Sequence, residues 1–265
     1  MLNIAAIQFT PKFLDLSSNR AKVKDLIEKA ISDNKSELIV LPELAFSGYN
    51  FETIEQVQKT AEKIPTSESC TLLEQLSTEN SVFIVAGINE IAQDNFFNSA
   101  VVFGPEGYIT TYRKIQLYAR EKEFFKPGDK PLQTFPIRDY KIGLMICFDW
   151  FYPEIPRSLA LMGADVICHS MNAVIPDGAY LGDTYHSKWN RVFIILANRI
   201  GDERNLHFIG KSTIIDQTGA VLSQASSDHE EIIYSSIDPL LARNKKLNSF
   251  NDVLNDRRPN MYNLE

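Results

Sequence analysis

The sequence is poor in the residues that mark several large classes of protein. It has three cysteines and four histidines in 265 residues, and no two cysteines form a C-x-x-C motif. This composition argues against a disulfide framework and favours free thiols in a reducing compartment. The histidines are scattered and no G-x-x-x-x-G-K motif is present, so the sequence predicts no metal and no cofactor.

Basic residues and long apolar runs are also scarce. Lys and Arg total 27 against 34 Asp and Glu, a formal net charge of −7, which argues against a basic surface for nucleic acid. No apolar stretch reaches the ~18–20 residues that span a bilayer, and the first residues lack the basic segment and cleavage site of a signal peptide. We therefore expect a soluble, cytoplasmic protein that binds neither nucleic acid nor membranes.

What the sequence does contain is an alternation of short apolar runs and helical patterns, which predicts an α/β fold. Several of the runs are almost continuously apolar, as is typical of central strands buried on both faces. Helices are predicted at Asn19–Ser32, Ser69–Asn80, Glu154–Met162 and Gly182–Val192. Strands are predicted at Leu2–Phe9, Leu38–Leu41, Val82–Ala86, Ala100–Phe103, Ile109–Arg113, Ile142–Cys147, Asp165–His169, Val192–Asn198, Lys211–Asp216 and Ile232–Ile237.

No linker or composition break divides the chain, so a single domain over residues 1–265 is the expectation. The last stretch, residues 239–265, loses the apolar rhythm and carries several basic residues. It is interpreted either as a solvated tail or as a C-terminal arm that packs on a partner subunit.

Cys147 stands at the end of one predicted strand. The apolar run Ile142–Ile146 leads into the thiol, and Asp149, three aromatic residues and a helix start follow it. Fixed geometry and nearby dipoles help to form the reactive thiolate, so this is a suitable position for a nucleophile. A cysteine on a strand is also commonly a small buried hydrophobe, and this segment alone leaves both interpretations open.

Two further strands end in one ionisable residue each. Leu38–Leu41 runs through Pro42 into Glu43, and Ile109–Arg113 runs into Lys114. Open α/β sheets bind ligands at the carboxyl ends of their strands. A buried carboxylate there can act as a general base, and a lysine can lower the pKa of a thiol and stabilise developing negative charge. Taken singly, a glutamate or lysine in such a position is more often an ordinary capping residue, salt-bridge partner or solvated surface charge.

Together, these segments resemble the nitrilase superfamily of carbon–nitrogen hydrolases. The matching stretches are LPELAFSGY around Glu43, YRKIQLY around Lys114 and MICFDWFYPE around Cys147. IAAIQFTP, NSAVVFGPEGYI, ANRIG and FIGKSTIIDQTG extend the agreement over essentially all 265 residues. The resemblance implies a four-layer αββα sandwich. It also implies a homodimer or larger oligomer, formed through the face beside the helix that follows Cys147 and through the C-terminal arm.

The resemblance implies a mechanism as well. Cys147 would attack the carbon of an amide, carbamoyl or nitrile group while Glu43 accepts the thiol proton. Lys114 and the backbone N–H of Phe148 would hold the oxyanion. Ammonia or an amine would leave, and Glu43 would activate the water that releases the acid from the thioester.

A second carboxylate is expected from the same resemblance. Glu121, six residues before Pro127, would orient Lys114 or the substrate. Glu123 is the neighbouring rival for this role.

The substrate pocket is expected to be apolar. Phe151 occupies a position where many amidases that act on carboxylate-bearing substrates have an arginine, and Trp150 lies beside it. This favours a small neutral or amine-bearing amide or carbamoyl compound, with a small nitrile as the alternative. Tyr49 and Asn172 are further candidates for the pocket, although Asn172 is equally compatible with a turn-forming role.

Two other interpretations remain open from the residues alone. His169 could approach Cys147 from an adjacent strand and form a papain-like pair. The chain could also be a non-catalytic binding subunit that keeps the fold, although Glu43, Lys114 and Cys147 are all present.

Overall fold

The short apolar runs form strands that assemble into two large sheets. The computed structural model describes residues 1–176 and 178–262. The strands are β1 (Leu2–Gln8), β2 (Leu38–Val40), β3 (Phe83–Ala92), β4 (Asn95–Gly104), β5 (Gly107–Arg113), β6 (Phe135–Ile137), β7 (Tyr140–Ile146), β8 (Val166–Met171), β9 (Phe193–Asn198), β10 (Ile200–Glu203), β11 (Leu206–Ile209), β12 (Thr213–Ile215), β13 (Val221–Gln224) and β14 (Glu231–Ile237). The first sheet has the order β14-β1-β2-β3-β4-β5, the second has the order β13-β12-β9-β8-β7-β6, and β10 and β11 form a separate hairpin.

Helices lie between the strands of each half. They are α1 (Leu16–Asn34), α2 (Ile54–Thr60), α3 (Glu68–Asn80), α4 (Glu121–Phe124), α5 (Glu154–Leu161) and α6 (Gly178–Asn190), with 3₁₀ turns at Cys147–Phe151, Pro239–Arg243 and Pro259–Met261. Helix α1 begins earlier than the predicted Asn19 because the Asp15 side chain caps it by accepting the backbone N–H of Ser18 at 3.0 Å. The predicted helix from Gly182 likewise begins earlier, at Gly178.

Three apolar layers hold these elements together. The largest cluster lies between the two sheets, where residues such as Val40 and Val102 share one core with Leu144 and Ile195. A second cluster packs α1 and α3 on the first sheet, and a third packs α5 on the second sheet. Because each sheet is covered by helices on its outer face, the predicted four-layer αββα sandwich is confirmed.

The strand directions bring three chain segments to one edge. Strands β1, β2 and β3 are parallel, and β5 runs in the same direction because both β4 pairings are antiparallel. In the second sheet β7, β8 and β9 are parallel. The Ser170 hydroxyl on β8 donates to the Leu41 carbonyl at 2.8 Å, which joins the carboxyl ends of β8 and β2 across the interface between the sheets.

The described part of the C-terminal arm packs on its own chain. Lys245 donates to the backbone carbonyls of Asn190 and Arg191 at 3.1 and 2.8 Å, at the end of α6, and the Arg157 guanidinium donates to the carbonyl of Val253 at 3.1 Å. The arm is therefore not a freely solvated tail over these residues. Residues 263–265 of the predicted arm lie outside the described residues, and the single-domain boundary 1–265 stays a prediction.

Within residues 1–176 and 178–262, no helix combines the length and hydrophobicity needed to cross a membrane. The cytoplasmic location stays a prediction.

Candidate active site

Cys147 lies in a strained turn directly after β7. It is the first residue of the 3₁₀ turn Cys147–Phe151 and has a φ of +44°, in the left-handed region that L-residues rarely adopt. Such a backbone conformation costs about 1–3 kcal/mol and persists only where the surroundings enforce it. The Asp149 carboxylate is part of that enforcement, because it accepts the backbone N–H groups of Ile146 and Gln116, each at 3.0 Å.

Lys114 lies between two carboxylates. Its ammonium nitrogen is 2.7 Å from Glu43 Oε1 and 2.8 Å from Glu121 Oε1, and all three side chains are buried. The Asn98 amide also donates to Glu43 Oε1, at 2.6 Å. The other Glu43 oxygen, Oε2, has no hydrogen-bond partner among the described residues, so it is available to take up a proton.

A glycine makes the backbone around Glu43 possible. The segment after β2 lies against β3, where the Ala45 N–H donates to the Gly87 carbonyl at 3.0 Å. A Cβ atom at Gly87 would lie 2.4 Å from the Leu44 nitrogen and 2.5 Å from Glu43 Cα. Only glycine permits this approach, and the approach fixes the position of the Glu43 carboxylate.

The burial of this cluster changes the proton affinities of its members. Burial raises the pKa of Glu43 above its ordinary value, and the Lys114 ammonium opposes that shift. Burial and the Glu43 charge likewise raise the pKa of Cys147 well above that of a free thiol, while Lys114 opposes the rise. At neutral pH the resting sulfur is therefore a thiol that needs a base, and a carboxylate with a raised pKa is suited to serve as one.

The pKa of Lys114 is also raised, but for a different reason. Burial alone would lower the pKa of its ammonium group, but the charge that Cys147 carries once ionised and the carboxylates of Glu121 and Glu43 raise it well above the ordinary value. The side chain therefore stays cationic over the physiological pH range.

Tyr49 connects this cluster to the β10–β11 hairpin. Its hydroxyl donates to Glu121 Oε1 at 2.7 Å, while its backbone N–H and that of Asn50 donate to Glu203 Oε1 at 2.9 and 2.5 Å. Glu203 pairs in turn with the buried Arg199 guanidinium at 2.9 Å. The hairpin thus holds the segment that orients Glu121.

His169 does not contact the thiol. It lies on β8 beside Cys147, as expected, but its Nε2 is 3.1 Å from the Cys147 carbonyl oxygen and its Nδ1 is 2.6 Å from Asp183. Burial would lower the pKa of this imidazole, but Asp183 raises it above the ordinary value. Since both ring nitrogens are engaged elsewhere, the papain-like pair expected as an alternative is not formed.

The two candidate carboxylates of α4 lie in different environments. Glu121 is buried and bonded to Lys114, whereas Glu123 is exposed and pairs with Arg120 at 2.9 Å. The geometry therefore brings Glu121, and not Glu123, to the cluster.

Two cavities adjoin these residues. A small one of about 20 Å³ lies at Cys147, and Phe148, Trp150 and Asn172 are among its lining residues. The Asn172 amide donates to the backbone carbonyl of Glu43 at 2.9 Å, and its Oδ1 has no partner among the described residues. A second cavity of about 480 Å³ is lined in part by Tyr49, Tyr118, Glu121, Phe125 and Leu206.

Phe151 departs from expectation. The sequence predicts this ring in the wall of the pocket, but it lies outside both linings, is 60% exposed and stacks on Phe148 with ring centroids 5.3 Å apart. The reason is the 3₁₀ turn, in which residues three apart eclipse one another. Phe151 therefore covers the outer side of Phe148 instead of facing the cavity.

Several residues of this site were not singled out from the sequence. They are Asn98, Tyr118, Asp183, Arg199 and Glu203. Asn98 carries a recognisable signal, because it is a buried amide within the apolar strand β4. Arg199 and Glu203 carry no such signal in the sequence. Glu203 accepts a hydrogen bond from the backbone N–H of Tyr49, a residue 154 positions away.

The comparisons with known proteins agree with this fold. The carbon–nitrogen hydrolase family model matches residues 3–246. A Pyrococcus abyssi protein named nitrilase is 46% identical over 262 residues, covering 99% of both chains, and a Pseudomonas (R)-stereoselective amidase is 31% identical over 261 residues, covering 97% of this chain and 92% of the relative. The crystal structure of a carbon–nitrogen hydrolase from Helicobacter pylori superimposes with a TM-score of 0.88 at 25% identity, covering 99% and 97% of the two chains.

The chain therefore belongs to the carbon–nitrogen hydrolase family, and the resemblance found in its sequence is confirmed. It is an enzyme of the nitrilase superfamily.

Proposed function

We propose that this enzyme hydrolyses a small amide or N-carbamoyl compound through a thioester on Cys147. The observation that carries the proposal is the placement of Lys114, whose ammonium group bonds both Glu43 and Glu121 within 2.8 Å. Beside it, the thiol is held in a strained turn. A base, a fixed cation and a nucleophile are the groups that acyl transfer requires.

In the first half of the reaction, Glu43 accepts the proton of the Cys147 thiol as the sulfur forms a bond to the carbonyl carbon. The carbonyl oxygen becomes an oxyanion, which the Lys114 ammonium and the backbone N–H of Phe148 stabilise. As the intermediate collapses, the C–N bond breaks, and the nitrogen takes the proton from Glu43 and leaves as ammonia or an amine. Glu121 keeps Lys114 oriented throughout.

In the second half, Glu43 removes a proton from a water molecule that adds to the thioester carbon. The C–S bond breaks, the sulfur recovers the proton from Glu43, and the carboxylic acid leaves. The net reaction consumes one water and releases one acid and one amine or ammonia, so no redox partner is needed.

A nitrile substrate is the second candidate, and one observation favours it. The 46% identical relative from Pyrococcus abyssi is named a nitrilase, and the same sulfur could add to a nitrile carbon. Two waters would then be consumed in forming the acid and ammonia.

Ammonia release from a panel of small amides, carbamoyl compounds and nitriles tests this proposal. Cys147→Ala should abolish release, whereas Cys70→Ala, which removes a buried thiol from α3, should retain it. Undiminished release by Cys147→Ala would refute the proposed mechanism. If the purified, folded protein releases ammonia from none of these compounds, the result would favour the alternative that the chain is a non-catalytic binding subunit.

We also propose that the chain forms a homodimer or larger homo-oligomer through the face of α6. Tyr185 and Trp189 stack 5.2 Å apart on this helix, and each is about half exposed. Exposed aromatic pairs of this kind are typical of protein interfaces. Sedimentation should give a smaller particle for Trp189→Glu than for the wild type, whereas Tyr108→Glu, on an exposed strand position, should leave the mass unchanged.

A further inference from the structure

The two cavities beside the proposed nucleophile differ greatly in size. The one at Cys147 measures about 20 Å³, whereas a single water molecule requires about 10–15 Å³. The larger cavity measures about 480 Å³, and an apolar cavity of about 150 Å³ already accepts benzene. The thiol can therefore be approached by a slender group, while a much bulkier group fits nearby.

The two cavities are adjacent compartments of one site. Tyr118 and Val174 line both of them, and the larger one also contains Glu121, whose carboxylate bonds Lys114. A molecule whose reactive end reaches Cys147 would consequently extend past Tyr118 into the larger compartment.

The larger compartment offers mainly apolar contacts. Its wall includes aromatic and aliphatic side chains: Phe51, Phe124, Phe125 and Leu206. Burying a group of phenyl size against such a wall stabilises a complex in proportion to the apolar area removed from water.

Each charged group of this wall already has an oppositely charged partner, within the wall or beside it. Arg204 lies 2.6 Å from Glu52, Arg120 lies 2.9 Å from Glu123, and Glu121 lies 2.8 Å from Lys114. A carboxylate or ammonium group on a substrate would therefore meet charges that already have partners, and it would lose part of its hydration on entering the cavity. The wall therefore favours an uncharged tail.

We propose that the substrate carries a terminal carboxamide or nitrile on an uncharged, apolar tail of about phenylalkyl size, which the larger cavity binds. This inference rests on the proposed function for the chemistry at the reactive end. It adds that the tail, and not the reactive end, determines which substrate is selected.

Steady-state kinetics on four amides with the same reactive end test the inference. The wild type should show a kcat/KM for 3-phenylpropionamide about tenfold or more above that for propionamide, as expected for an added apolar contact. Succinamate and 4-aminobutanamide, which carry a charged tail, should fall below 3-phenylpropionamide. A flat series, or a preference for either charged tail, would overturn the proposal.

A substitution in the wall of the larger cavity tests whether the substrate's tail binds there. Leu206→Trp should lower the kcat/KM ratio of 3-phenylpropionamide to propionamide about tenfold, because the indole takes up space in the larger cavity that the phenyl group would occupy. Leu222→Trp introduces the same side chain at an exposed position of β13 and should leave the ratio unchanged. An unchanged ratio in Leu206→Trp would contradict the assignment of the tail to this cavity.

Equilibrium binding separates this inference from the proposed function. Calorimetry on Cys147→Ala should show tighter binding of 3-phenylpropionamide than of propionamide, and adding Leu206→Trp should remove that difference. Tighter binding without turnover by the wild type would uphold the tail site and refute the proposed reaction. Equal binding of the two amides would refute the tail site even if both are hydrolysed.

Discussion

The hydroxyl of Tyr112, on strand β5 of the first sheet, donates a hydrogen bond of 2.7 Å to Oδ2 of Asp149, in the turn that follows strand β7 of the second sheet. Tyr112 lies on β5, two residues before Lys114, and Asp149 lies two residues after Cys147. This bond therefore fixes the strand that delivers the cation relative to the turn that holds the thiol.

Removing the Tyr112 hydroxyl should impair the chemical step more than substrate binding. Tyr112→Phe leaves a buried carboxylate with one donor fewer, and a hydrogen bond to a charged group contributes about 1.5–3 kcal/mol. We expect kcat to fall about tenfold with a smaller change in KM. Tyr108→Phe, on the same strand with an exposed hydroxyl bonded to Thr111, is the matched control. Equal effects of the two variants would contradict a specific role for this bond.

The two carboxylates of α4 should respond very differently to neutralisation. Glu121→Gln removes a negative charge that holds Lys114, and we expect kcat/KM to fall about 100-fold, as for loss of a group that supports an oxyanion site. Glu123→Gln breaks only an exposed pair with Arg120 and should change kcat/KM less than about twofold. A larger loss in Glu123→Gln would reverse the assignment.

The pH dependence of kcat/KM should reflect Glu43. The base acts in its deprotonated form, and burial raises its pKa above the ordinary value of 4.5. Activity should therefore fall as the pH is lowered through a midpoint above 4.5. The pKa of Lys114 is raised well above 10.5, so this residue should cause no loss at mildly alkaline pH. An acid limb at or below 4.5, in enzyme that circular dichroism shows to be folded, would contradict this account.

His169 should matter more for stability than for proton transfer. His169→Gln breaks a buried pair with Asp183, which typically costs about 3–5 kcal/mol of unfolding free energy. Chemical denaturation should show this loss, while the folded variant keeps the acid limb of its pH profile at the wild-type position. A shifted or missing acid limb would instead support a catalytic role for His169 as the partner of Cys147.

The sequence was informative where a candidate site residue lies at the end of a strand. Glu43, Lys114 and Cys147 each lie just after a predicted strand, and parallel strands bring such positions to one edge of a sheet. The four-layer fold was likewise predictable from the motifs that resemble the family. Glu121 was reached only through that resemblance, since it lies on a helix of four residues without an apolar rhythm.

Other features depend on contacts that no local pattern reveals. The direction of the Phe151 ring is set by the 3₁₀ turn Cys147–Phe151. The run of aromatic residues in the sequence does not predict this turn. The contact of Glu203 with Tyr49 joins residues 154 positions apart. The size of the larger cavity likewise results from how α4 and the β10–β11 hairpin pack, so the tail site could be recognised only from the structure.

The most direct test of the central claim is to identify the acylated residue. Wild-type enzyme mixed with an amide that it hydrolyses should be quenched in acid, digested and analysed by mass spectrometry. The account predicts that the wild-type peptide containing Cys147 carries an acyl group. It also predicts that Cys147→Ala forms no such adduct and releases no ammonia. Ammonia release from Cys147→Ala at the wild-type rate, or an acyl group on another residue that turns over, would contradict it.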